Sequence, residues 1–134
     1  MTAEILTVGT EILLGNISNS NAAFLSVELA KLGVAVFRHT SVGDNEKRLK
    51  AALENGFANA DVVITTGGLG PTSDDITKAV AANFFGLKME EHQPTMERIR
   101  QRFAGKYPNG DHPGAVCGYL RPRTIRSFLK PFYV

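Results

Sequence analysis

The run Gly67-Gly68-Leu69-Gly70-Pro71-Thr72-Ser73-Asp74-Asp75 concentrates the residue types best suited to chemistry. Three glycines in four positions let a backbone approach a ligand closely and adopt positive φ. Successive exposed N–H groups on such a turn form an anion nest. A helix is expected to follow, from Asp74 to Phe85, and a helix N-terminus favours phosphate or carboxylate. Thr72 and Ser73 add hydroxyl donors. Asp74 and Asp75 would repel a bare phosphate, which points to a divalent cation between carboxylate and phosphate. Magnesium is held in this way by one or two carboxylates plus ligand oxygens. The plainer role for Asp74 is a cap on the following helix.

Two other loops carry polar and glycine residues: Gly9-Thr10-Glu11-Ile12-Leu13-Leu14-Gly15-Asn16 and Gly43-Asp44-Asn45. Gly9 and Gly15 alone read as a turn, within which Glu11 is either a metal ligand or a cap. Asp44 is either a helix N-cap or a carboxylate brought to the same place as Asp75. Neither the P-loop pattern nor a G-x-G-x-x-G at the first strand is present. His39, His92 and His112 lack metal-ligand spacing, and no Ser/His/Asp set stands out. The single cysteine, Cys117, excludes an internal disulfide and a cysteine-based zinc site.

Alternating hydrophobic periods supply the elements that would position these loops. Glu4 to Val8, Val34 to Val42 and Asp61 to Thr66 read as strands, the last a continuous apolar run suited to burial on both faces. Ala22, Leu25, Leu29 and Leu32 form a helical stripe, with Gly33 as its C′ residue. Leu49, Leu53 and Phe57 form another, and Asp44 is its expected cap. Pro94 opens a helix over Thr95 to Phe103. The order β-α-β-α-β-loop-α-α predicts an α/β fold with a mostly parallel sheet and right-handed crossovers. Ligands of such sheets bind beyond the carboxyl ends of the strands, where all three polar loops would lie.

The chain has 134 residues, 43% hydrophobic and 21% charged, as expected of one globular domain. No apolar run approaches the roughly 18 residues of a transmembrane helix, and no signal peptide is visible. A cytoplasmic setting is expected. Residues 1–97 carry a net charge of −5 and residues 98–134 a net +7. Four of the six prolines also fall after Gly105, so a boundary is placed there, giving a domain over 1–104 and a basic tail over 105–134. The tail's Arg and aromatic residues are weak grounds for nucleic-acid or membrane binding, because Pro122 and Pro131 interrupt any long amphipathic helix.

Val8 to Gly15, the Asn19/Asn21 pair, Val42 to Asn45 and Thr66 to Asp75 together resemble the N-terminal domain of the CinA (competence/damage-inducible) family, over about residues 3–104. That domain is similar to the molybdopterin-binding domains of molybdenum-cofactor biosynthesis. The resemblance implies a three-layer α/β/α fold. It implies a phosphate-containing ligand, either ADP-ribose, hydrolysed at its pyrophosphate, or molybdopterin, bound or adenylylated. A non-catalytic remnant is the third alternative. Gly9, Thr10, Glu11, Gly67, Gly68, Gly70, Thr72 and Ser73 are the expected ligand-binding residues. Asp44 and Asp75 are the expected catalytic carboxylates, and with Asp74 the expected magnesium ligands. The family's later Asn-x-x-Gly-Thr-Ala-Pro-Gly-like loop and its second domain are not found, so a shortened domain is expected. An uncovered sheet edge would then favour a homo-oligomer.

Overall fold

The centre of the fold is β1 (Thr2–Val8), six of whose seven residues are buried. A computed structural model describes residues 1–70, 72–89 and 92–103. β2 (Ala35–Val42) and β3 (Val62–Thr66) pair with β1 in parallel on either side, giving the order β2-β1-β3. The chain thus steps to one side of β1 and then crosses to the other. Crossovers of one hand that run in opposite directions place their helices on opposite faces. α2 (Ser20–Lys31) lies on the face of Thr7 and His39, through Asn19 and Ser26. α3 (Glu46–Asn59) and α4 (Thr77–Phe84) cover the other, where Leu49, Leu53 and Val80 pack on Leu6 and Val8. This is the expected three-layer α/β/α arrangement. α1 (Thr10–Leu13) follows β1, and α5 (Gln93–Phe103) closes the described chain.

Several local expectations are corrected. β3 is half-buried throughout rather than buried on both faces, because it is an edge strand with only β1 beside it among the described residues. The N-cap of α3 is Asn45, which accepts from the Arg48 N–H at 3.1 Å; Asp44 points elsewhere. α4 begins at Thr77, not Asp74, and has no side-chain cap. Gly9 to Leu14 was expected as a turn but holds the one-turn helix α1. Phe57 leaves the core to meet the rings of Phe84 and Phe85 at 5.8 and 5.4 Å.

Glu4 is a charge inside the apolar central strand, only 1% exposed. It accepts from Arg38 Nη2 at 2.5 Å and Thr40 Oγ1 at 2.6 Å, both on β2. Arg38 also donates to Asn55 on α3 at 2.6 Å. A buried carboxylate is tolerable only with partners of this kind. Among the described residues no helix is long and apolar enough to cross a membrane.

Candidate functional site

In a sheet ordered β2-β1-β3 the crossover direction reverses at β1 and β3, and the crevice beyond their carboxyl ends is the expected ligand position. A cleft of about 90 Å³ opens there. Thr7, Val8 and Gly67 form its floor at the strand ends, Glu11 and Ile12 of α1 one wall, and residues 17–21 the other. The second wall is fixed by two asparagines. Asn19 caps α2 by accepting from the Ala22 N–H and donates to Thr7 Oγ1 at 2.9 Å. Asn21 donates to Thr66 Oγ1 at 3.0 Å. Pockets for drug-sized ligands run to about 300–1,000 Å³, so this cleft has room for only one end of such a ligand.

The glycine loop leaves β3 through Gly67 and Gly68, with φ of 89° and 60°. A Cβ at Gly67 would stand 2.0 Å from the Val8 carbonyl oxygen, so only glycine lets β3 turn this close to β1. Thr77 is buried under the turn and donates from Oγ1 to the Gly67 carbonyl at 2.8 Å; its N–H reaches the Gly68 carbonyl at 3.1 Å. Lys78 Nζ reaches the Gly70 carbonyl at 3.2 Å, which places a cation at the loop.

Asp75 folds back into this loop. Its Oδ2 accepts from Thr72 N–H at 2.9 Å and Thr72 Oγ1 at 2.7 Å. These bonds hold its carboxyl below the ordinary aspartate value, the Thr72 hydroxyl contributing most. Thr72, Ser73 and Asp74 are exposed. Asp44 joins the first two loops: its Oδ2 accepts from Thr10 N–H at 3.0 Å and Thr10 Oγ1 at 2.8 Å. The Glu11 carboxylate lies over Gly9, within 2.5 Å of where a Cβ would stand. No three His, Cys, Asp or Glu among the described residues gather as a group able to hold a metal ion.

Asn19, Asn21 and Lys78 are site residues that the sequence reading did not assign. The S-N-S-N spacing before a helical stripe was the available signal for the first two. His39 and His92 serve structure, bonded to Ser26 Oγ at 2.8 Å and Thr95 Oγ1 at 2.7 Å. His112, the boundary near Gly105 and the basic tail lie outside the described residues.

A family described as a probable molybdopterin binding domain matches residues 4–126. The chain belongs to this family. The match runs past residue 104, beyond the described residues. A CinA-like protein from Dictyoglomus thermophilum is 55% identical over 103 residues, 77% of this chain and 25% of the relative. The chain spans about a quarter to a third of the length of the curated relatives it matches. The crystal structure of CinA from Thermoplasma acidophilum is 33% identical with a TM-score of 0.70, covering 76% of this chain and 60% of that one. MoaB from Pyrococcus furiosus, described as a tungsten cofactor synthesizing protein, is 25% identical with a TM-score of 0.59. That match covers 78% of this chain and 65% of MoaB. The molybdopterin-binding fold and the CinA likeness expected from the loops are thus both shown.

Proposed function

We propose that this molybdopterin-binding-family domain takes a phosphate-containing ligand in the cleft beyond β1 and β3 and hydrolyses ADP-ribose at its pyrophosphate. The observation that carries the reading is the Gly67–Gly68 turn, packed against Val8 at the reversal point of the sheet, with Gly67 lining the cleft. Main-chain N–H groups there, the Ser73 hydroxyl and the Lys78 ammonium answer the ligand's negative charge. Fixed donors of this type favour the extra charge of a transition state, since they need no reorganisation. The CinA likeness favours ADP-ribose as the substrate.

A Gly68→Val variant tests the site. Gly68 has φ of 60°, and a Cβ would stand 2.4 Å from Thr77 Oγ1. Valine there strains the backbone and displaces Thr77 from the Gly67 carbonyl. Calorimetry is expected to show ADP-ribose affinity reduced at least about tenfold. Equal affinities would remove the loop from the site. A second reading, molybdopterin as the ligand, is favoured by the family description and the likeness to MoaB. Turnover of ADP-ribose by wild type separates the two, and ligand binding without any turnover would leave a binding module.

A further inference from the structure

One bonding unit occurs three times among the described residues. In each, a single aspartate Oδ2 accepts both the N–H and the Oγ1 hydroxyl of one threonine. Asp61 holds Thr2 at 2.7 and 3.1 Å, Asp44 holds Thr10 at 3.0 and 2.8 Å, and Asp75 holds Thr72 at 2.9 and 2.7 Å. The Thr2/Asp61 clamp joins the start of β1 to the entry of β3. That is the edge of the sheet opposite the cleft, so its work there is to tie chain segments together. Thr10/Asp44 is the same device at the ligand edge, spanning 34 residues of sequence. Two more bonds lock the junction: Asp44 N–H to Thr10 Oγ1 at 3.3 Å and Gly9 N–H to the Val42 carbonyl at 2.9 Å. Thr10 is the first residue of α1, whose next two residues, Glu11 and Ile12, form one wall of the cleft.

We propose that Thr10 and Asp44 are positioning residues, a clamp that sets α1 as a wall of the ligand cleft, with Asp44 Oδ2 acting as a hydrogen-bond acceptor to Thr10, a role distinct from the magnesium ligation expected of this residue. The proposal rests on the reading of the cleft as the ligand site. The two roles separate chemically. A metal ligand needs its negative charge and is indifferent to the Thr10 hydroxyl. A clamp needs an acceptor at residue 44 and a hydroxyl at residue 10; asparagine supplies the one and serine the other.

The test has a ligand-free arm and a binding arm, both on the full chain. Amide hydrogen exchange follows Thr10, Leu14 and Asn16, whose N–H groups are bonded to Asp44 Oδ2, the Thr10 carbonyl and the Glu11 carbonyl. Thr10→Val and Asp44→Ala are expected to speed exchange at these amides about tenfold; Thr10→Ser and Asp44→Asn are expected to restore most of the protection. Calorimetry with ADP-ribose, and separately with inorganic phosphate, is expected to show the same ranking of affinities. Thr2→Val, which weakens the opposite clamp, is expected to lower thermal stability and leave both affinities at the wild-type value. Unchanged exchange in Thr10→Val overturns the clamp whatever the ligand does. Loss of binding in Asp44→Asn with full binding in Thr10→Val overturns it in favour of a charge role. If exchange ranks as expected but wild type binds neither probe, the clamp stands as the device that sets α1, and the ligand reading of the cleft fails.

Discussion

Asp75 is the residue at which charge and hydrogen bonding are most closely joined. The Thr72 hydroxyl, then the Thr72 and Gly70 N–H groups, hold its carboxyl below the ordinary value of 3.8, with a smaller pull from Lys78. A depressed folded value means that the contribution to stability is present above pH 3.8 and is lost as pH falls through the folded value. Thr72→Val removes the largest cause. The Asp75 titration midpoint, followed by carboxyl carbon NMR, is therefore expected to rise toward 3.8, while Asp61, lowered by Thr2, stays where it is. A midpoint that does not move would assign the depression to the remaining N–H donors. The sequence places Asp75 in this loop as an expected cation ligand, and the structure adds its two bonds to Thr72. Its partner was legible: Thr72-Ser73-Asp74-Asp75 is the T-x-x-acid spacing of a capping box, in which the acid reaches back to the first N–H. The Thr10/Asp44 pair had no such signal, because nothing local links residues that far apart.

Elements were more legible than their ends. Leu49 and Leu53 marked the buried face of α3, and Ala22 that of α2, because core packing selects the helical period. α1 is too short for any period to show. The cap of α3 was missed by one residue, since Asp44 and Asn45 are both good capping types and only the contact with Thr10 decides between them. The two asparagine caps make a matched pair of predictions. Asn45→Ala removes only the bond from the Arg48 N–H and is expected to cost about 1 kcal/mol in urea denaturation, with ADP-ribose affinity unchanged. Asn19→Ala removes the equivalent bond from Ala22 and also the one to Thr7, on the cleft floor. It is expected to cost more than Asn45→Ala and to weaken ADP-ribose binding. Equal stability losses with no change in affinity would make Asn19 a cap only.

The whole molecule buries its centre better than its flanks. Ala3, Ile5, Leu6 and Val8 of β1 are closed off from solvent, whereas β3 is half-open and its outer edge pairs with no strand among the described residues. Among the described residues one helix, α2, covers the face of the sheet that carries Thr7 and His39. Its Phe24 and Val27, spaced i and i+3 on one surface, are 65% and 56% exposed. Leu13, Leu14 and Ile17 lie exposed just before that helix. Apolar surface gathered in this way favours association, and the expectation of a homo-oligomer becomes specific here: a dimer joined through the outer face of α2. Light scattering at micromolar concentration is expected to give twice the chain mass. Phe24→Glu is expected to return the mass of one chain, and because its side chain points to solvent the change in folding stability should stay within about 0.5 kcal/mol. Phe85→Glu, on the α3–α4 side, should leave the dimer intact, although it disturbs the ring contacts with Phe57 and Phe84. A monodisperse monomer for wild type would remove the dimer altogether. A dimer that survives Phe24→Glu but dissociates with Phe85→Glu would move the contact to the opposite layer.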